Sequence, residues 1–477
     1  MDLWTHHKRY IIEPSTTIMA DKKFITKTAE APAQVLEKTI EVTESAVSAF
    51  PTDGVKRTVK KGGDYWHMLG PGLTTGASDD DPSGIATYSQ AGAQYGFQFL
   101  WMAAFTFPLM AIVQEMCARI GLVTGRGLAA NIRSKFSRKA LYACTALLIA
   151  ANTFNIGADL GAMAKGAQLL NGGWSFAVLV IGFTILSLGL QIFTPYARYA
   201  RYLKWMAMVL LAYVFSAILA HLDWSQVLHH AFIPSFTFTK NQMLLVAAIL
   251  GTTISPYLFF WQTSQEVEEQ ISQGQTSIAS RKGATSADMK SMRVDVWSGM
   301  LLSNIVMFFI IAASGALLYT HGITNITSAA QAAEALRPFA GNSTYFLFAI
   351  GIIGTGLLAI PVLAGSSSYA LSESLGLRQQ GLNRKLKQAY AFYGLIIISM
   401  FVGLAINFIG LDPIKALIYS AVGNAIVAPI VLFFIVMLSS NKKVMGEWVN
   451  PIWVRIVGWF VVILMAAAGI GAIWSLF

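Results

Sequence analysis

Charge is scarce in this chain. Asp, Glu, Lys and Arg make up 12% of its 477 residues, against 55% hydrophobic ones. An ordinary soluble domain carries about a quarter of its residues as charges, so a soluble enzyme is excluded and a polytopic membrane protein is indicated. Cysteine is scarcer still. Cys117 and Cys144 are the only two, both in apolar runs, which excludes a disulfide framework and leaves free thiols. No nucleotide-binding glycine loop and no Cys/His metal cluster occurs, so no catalytic constellation supports an enzyme. The short alternating segments of an outer-membrane barrel are missing, and the chain opens on no signal-peptide pattern.

What is present is hydrophobicity in helix-length runs of about 20 residues, long enough to cross a bilayer. Eleven spans are expected near 69–95, 97–121, 139–165, 173–193, 199–220, 241–264, 294–319, 342–370, 387–408, 414–439 and 452–476. Residues 1–65 are polar and carry Lys22, Lys23, Lys27, Lys38, Lys56, Arg57, Lys60 and Lys61. They read as a disordered cytoplasmic tail ahead of a transmembrane domain at 66–477.

The net charge of +10 does not point to nucleic acid, because the excess sits in alternate loops. Arg126, Arg133, Lys135, Arg138 and Lys139 follow the second span. Arg198, Arg201 and Lys204 follow the fourth, and Arg281, Lys282, Lys290 and Arg293 the sixth. Arg378, Arg384, Lys385 and Lys387 follow the eighth, and Lys442 and Lys443 the tenth. Between the seventh and eighth spans only Arg337 is basic. This bias places the N-terminus in the cytoplasm and the C-terminus outside.

Two spans are interrupted. Residues 70–84 read GPGLTTGASDDDPSG, with Asp79, Asp80 and Asp81 directly before Pro82. A carboxylate at membrane depth costs roughly 2.5–3.5 kcal/mol, so three in a row call for a function. The sixth span breaks at Gly251-Thr252-Thr253-Ile254-Ser255-Pro256. Breaks in the first and sixth spans make spans one to five and six to ten two units of opposite topology. That pattern belongs to secondary transporters with a site at the bilayer midplane.

The carboxylates and freed carbonyls suit a cation. Asp81 is the leading ligand, with Asp80 beside it and the Ser78 and Asp79 carbonyls at the negative end of the first half-helix. Asp79 and Asp80 are read chiefly as shaping the field, and one aspartate is expected to cap the second half-helix. Pro256 is expected to leave the Thr252 carbonyl without its usual partner, and Thr252 and Ser255 offer oxygens. Asn152, Asn155 and Asp159 lie in the third span. Asn155 reads as interhelical glue, and Asp159 equally as glue or pore lining. Asn424 is a polar pore candidate. Glu266, Glu268 and Glu269 read first as a solvated face and second as a cation vestibule.

With these residues the chain resembles the Nramp family of divalent metal transporters, most closely its magnesium-transporting branch. The resemblance covers roughly residues 65–476. It rests on Gly70-Pro71-Gly72, Asp81-Pro82, Gln90-Ala91-Gly92-Ala93, the stretch from Ala118 to Gly125 and the turn from Ser440 to Gly446. It implies an all-α, LeuT-like inverted repeat and, as partners, a divalent metal ion and the lipid bilayer of the cell membrane. The ion is cargo, and no cofactor is implied.

The departures from the family's pattern bear on the cargo. Gly84 stands where the pattern has asparagine, Ser255 where it has methionine, and Ala421 where it has glutamine. Losing the thioether removes a soft ligand. The smaller side chains are expected to widen the site for a partly hydrated Mg²⁺, which dehydrates reluctantly. Family histidines fall on Tyr257 and Gln262, and a family acid on Ala162, so proton coupling is not expected. A proton-coupled Mn²⁺ or Fe²⁺ transporter is the main alternative. A sodium-coupled solute symporter is a weaker one, because three aspartates would repel a carboxylate substrate. The eighth span, with Pro361 and Ser366-Ser367-Ser368, is assigned no ligand.

Overall fold

The computed structural model describes residues 69–170, 173–194, 198, 201–203, 206–219, 222–235, 237, 239–324, 326, 329–377, 381–410 and 413–476. The tail expected at 1–65 lies outside them. Among the described residues the regular elements are all helical. In chain order they are α1 (Pro71–Asp79), α2 (Pro82–Tyr95), α3 (Leu100–Thr124), α4 (Leu128–Lys135), α5 (Arg138–Leu170) and α6 (Phe176–Phe193). A 3₁₀ turn (Ala207–Leu210) leads into α7 (Leu211–Leu219), followed by α8 (Trp224–Phe232), α9 (Lys240–Thr253), α10 (Pro256–Ser272) and α11 (Ile278–Arg281). Then come α12 (Ser286–Leu317), α13 (Ala329–Leu375), α14 (Tyr390–Ile406), α15 (Pro413–Ser439), α16 (Lys442–Met445) and α17 (Ile452–Leu476).

Among the described residues, eight helical stretches are long and apolar enough to cross a membrane, counting α9 with α10 as one. The other three expected spans are shorter: the divided pair α1 and α2, α7, and the 17-residue α14. Two starts differ from the sequence reading. α12 begins at Ser286 because Thr285 and Asp288 form a capping box ahead of the apolar run. α13 begins at Ala329, also well before its apolar stretch.

α12 runs unbroken along both halves of the first span. Asp295, Gly299 and Ser303 are spaced by four and share one face of it. Asp295 accepts from the amides of Gly70 (2.7 Å), Gly72 (2.6 Å) and Leu73 (3.0 Å). It therefore satisfies the orphan donors at the start of α1 from another helix. Gly72 and Gly76 then lie against the backbone of α12. A Cβ on Gly72 would stand 2.5 Å from the Val296 nitrogen, and one on Gly76 would overlap the Gly299 carbonyl. Beyond the break, a Cβ on Gly92 of α2 would meet the Ile311 carbonyl at 2.5 Å. The first half of the other broken span is seated in the same way: a Cβ on Gly251 of α9 would overlap the Ala421 carbonyl of α15.

Candidate cation site

The first break is two residues wide. α1 ends at Asp79, Asp80 and Asp81 are unwound, and Pro82 takes the first position of α2. Proline suits that place because its missing N–H has no helical partner there. Asp81 caps α2, as expected of one of the three acids. Its Oδ1 accepts from the Gly84 amide at 2.8 Å and from the Ser83 hydroxyl at 2.5 Å.

The second break falls at Ile254 and Ser255, with Pro256 opening α10. Pro256 has no N–H to give the Thr252 carbonyl, and the Ser255 hydroxyl stands in for it, lying 2.8 Å from that carbonyl and 2.7 Å from the Gly251 carbonyl. Ser255 Oγ is thus turned back onto its own helix, repairing the backbone that Pro256 disrupts.

The three aspartates have different surroundings, although all are buried. Asp81 is well supplied with donors. Besides its cap bonds, Oδ2 accepts from Asn155 Nδ2 at 2.9 Å and stands 3.5 Å from the Tyr257 hydroxyl. That hydroxyl has one proton to give, and the closer acceptor is the Ser78 carbonyl at 2.9 Å. Asp79 is half supplied: Oδ2 accepts from Ser303 at 2.6 Å, and Oδ1 has no hydrogen-bond partner among the described residues. Asp80 has a partner at neither oxygen.

Asp159 is in the same condition as Asp80, fully buried with both oxygens unpartnered. Asn155 is glue in a specific sense, since it donates to Asp81 and accepts from Ser420 of α15 at 2.7 Å. Asn152 binds α13 through the Leu363 carbonyl and the Ser366 and Ser367 hydroxyls. Asn424 is buried, and neither end of its amide has a partner. The Thr252 and Tyr88 hydroxyls are likewise buried and unpartnered.

Two expectations are corrected. Gly84 does not open a wide space. A Cβ there would stand 3.0 Å from Thr252 Oγ1 and 3.3 Å from the Asp79 carbonyl. The glycine instead lets the Thr252 hydroxyl and that carbonyl each approach α2 closely. The Ala421 backbone packs closely on α9, with its carbonyl where a Gly251 Cβ would be. Nor are Glu266 and Glu268 a solvated face. Both are buried, Glu266 accepting from Gln262 at 2.9 Å and Glu268 from Tyr369 at 2.8 Å. Glu268 also takes the Leu382 amide at 3.1 Å and the Asn383 side chain.

Ion pairs among the described residues join Glu115 to Arg119 and Arg293, far along the chain from the breaks. Among the described residues no arginine or lysine is paired with Asp79, Asp80, Asp81 or Asp159. Leaving such carboxylates ionised and unpaired in a low-dielectric interior is costly, and a bound cation offsets that cost. Of the unpartnered oxygens, those of Asp80, Asp79 Oδ1 and Thr252 Oγ1 belong to residues at or next to the breaks, and all are hard ligands. Ser303, Ser420 and Tyr88 belong to this surrounding and carry no motif of their own. Their positions become apparent only once the helices are packed.

The model of the family described as "Natural resistance-associated macrophage protein-like", Nramp, matches residues 72–475. A divalent metal cation transporter, MntH, of Pectobacterium carotovorum is 28% identical over 413 residues, covering 84% of this chain and 92% of the relative. MntH of Caldanaerobacter subterraneus is 26% identical over 401 residues, covering 83% and 89%. Among solved structures, the Eremococcus coleocola manganese transporter superposes with a TM-score of 0.62 at 20% identity, covering 85% of each chain. Mhp1, a nucleobase-cation-symport-1 family transporter in a closed conformation, does so with 0.55 at 16% identity, covering 85% and 91%. At these identities the structural likenesses speak to the fold alone.

Proposed function

Because the chain belongs to the Nramp family, we propose that it carries a divalent metal cation across the cell membrane through the gap between its half-helices, with Mg²⁺ as the favoured cargo. The observation that carries this reading is the buried, donorless carboxylate of Asp80 beside the half-supplied Asp79. In this proposal Asp80, Asp79 and Thr252 meet the ion first. Asp81, oriented by Asn155, Ser83 and Gly84, holds the geometry of the break and adds charge. Ser78 offers the second lone pair of a carbonyl that already accepts from Tyr257.

Support for Mg²⁺ rests on ligand hardness. The donors at the break are all oxygen, and no methionine stands at Ser255. Oxygen donors without thioether or imidazole suit Mg²⁺ and offer nothing extra to a softer ion. The width of the site no longer contributes, since Gly84 is closely packed. Transport without protons fits the residues where the family has histidine. Tyr257 is committed to Ser78, and Gln262 to Glu266. An inside-negative potential supplies about 2.3 kcal/mol per charge per 100 mV, enough to draw in a divalent ion without a co-ion. The loop arginines and lysines favour an N-terminus in the cytoplasm.

A second reading is proton-coupled Mn²⁺ transport; the Eremococcus coleocola protein's name, a manganese transporter, favours the ion, and Asp159, a buried carboxylate without a partner among the described residues, favours the proton. Flux in proteoliposomes separates the two. Mg²⁺ uptake driven by voltage, with the lumenal pH unchanged, is the expected result. Mn²⁺ uptake with lumenal acidification and no Mg²⁺ flux would overturn it.

A further inference from the structure

Away from the breaks, at the end of the bundle where the loop arginines gather, lies a cavity of about 770 Å³. Its walls come from the segment joining α3 to α5, from α10 and the loop after it, and from the end of α13 with the chain that follows. We propose that this cavity binds a phosphate-bearing anion of nucleotide size. The inference does not rest on the cargo proposed above.

Charge is the first ground. Arg126, Arg133, Arg138, Arg281 and Arg384 line the cavity, against two carboxylates, Glu268 and Glu373. Both carboxylates are already engaged. Glu268 holds Tyr369, Leu382 and Asn383, and Glu373 accepts from the Ala130 amide at 3.1 Å. A cation entering here would meet an excess of guanidinium groups, so the cavity is not the vestibule that the sequence suggested for Glu268. An anion carrying two or more charges would relieve their mutual repulsion.

Preorganisation is the second ground. The Arg281 side chain is held by the carbonyls of Gly125 (3.1 Å), Gln275 (3.0 Å) and Thr276 (3.0 Å). The Arg133 guanidinium lies against Gly376 just past the end of α13, so close that a Cβ there would overlap it. Three of the Arg281 donors are thus spent on carbonyls, so it stands in the wall as a fixed positive charge, while Arg126 and Arg138 are exposed at the margin with their guanidinium forks open to a ligand. Planar guanidinium forks match phosphate oxygens in pairs, which a scattered set of lysines would not do. The remaining lining combines hydroxyls, among them Ser134 and Ser277, with the apolar side chains of Ile271, Ile278 and Leu377. This mixture suits a ligand with a charged end and a flatter, less polar one. The volume falls within the roughly 300–1,000 Å³ of small-molecule sites.

The test is binding to the full chain in nanodiscs of zwitterionic lipid, with EDTA present so that no metal contributes. A fluorescent ATP analogue is expected to bind saturably and to be displaced by ATP. Arg126→Ala/Arg138→Ala should weaken it by roughly tenfold or more, and Arg126→Lys/Arg138→Lys should restore part of the loss. Displacement by inorganic phosphate alone would narrow the ligand to its charged end. Binding that appears only as protection by phosphoinositide-containing nanodiscs would assign the phosphate to a lipid headgroup. The proposal fails if neither soluble nor lipid phosphate binds at concentrations on the order of 1 mM. It fails equally if the alanine pair binds as tightly as the parent.

Discussion

The carboxylate of Asp295 and the amide of Gly72 are 2.6 Å apart, although 223 residues separate them in the chain. With the Gly70 and Leu73 amides added, one side chain of α12 closes the first turn of α1. Removing it strands buried donors at about 1–3 kcal/mol each. Asp295→Ala should therefore lower the thermal midpoint of the purified protein by several degrees. Asp295→Asn, which keeps an acceptor, should lower it less. Equal midpoints for Asp295→Ala and the parent would show that α1 is held by its glycine contacts alone.

Asp80 and Asp81 are neighbours with opposite expectations. Asp80→Asn removes a buried charge that no side chain balances, so the ion-free protein should become more heat-stable while stabilisation by added Mg²⁺ disappears. Flux should fall by roughly two orders of magnitude, equivalent to about 2.7 kcal/mol. Asp81→Ala should abolish flux and also destabilise the protein, because Gly84, Ser83 and Asn155 lose their acceptor. Melting curves with and without Mg²⁺ distinguish these outcomes. If Asp80→Asn melts below the parent without ion, the account of its unpaired charge is wrong.

Gly84→Ala places a Cβ 3.0 Å from Thr252 Oγ1. The hydroxyl must move by a few tenths of an ångström, and the affinity for Mg²⁺ should drop by roughly tenfold with the fold retained. Ion titration of a variant with parental melting behaviour makes the measurement. Unchanged affinity would remove Thr252 from the ligand set.

Ser255→Met restores a thioether at the second break. It should raise the preference for Mn²⁺ and Cd²⁺ over Mg²⁺. It also withdraws the hydroxyl from the Gly251 and Thr252 carbonyls, so some stability should be lost with it. A competition assay that leaves the ion ranking as in the parent would count against selection by ligand softness.

The helices and their two breaks were legible because proline and acidic residues stand out in apolar runs of helix length. That Asp81 caps α2 was also within reach, since the cap bonds lie within three residues. The sorting of the three aspartates was not, because the groups that distinguish them are far apart in sequence. Ser303 is 224 residues from Asp79, and Asn155 is 74 from Asp81. Gly84 looked like empty space because a sequence records the missing side chain but not the Thr252 hydroxyl that crowds its place. Glu268 looked solvated for a similar reason. Its partners come from α13 and the loop after it, which no periodicity ties to α10.

α12 has a mechanical consequence. It is clamped to α1 by Asp295 and by glycine crossings, and to α2 beyond the break, so it acts as a splint across a fracture. Drawing either stub away would break the Asp295 bonds or open a glycine crossing. Asn155, reaching from α5 to Asp81, braces the same fracture from its other side.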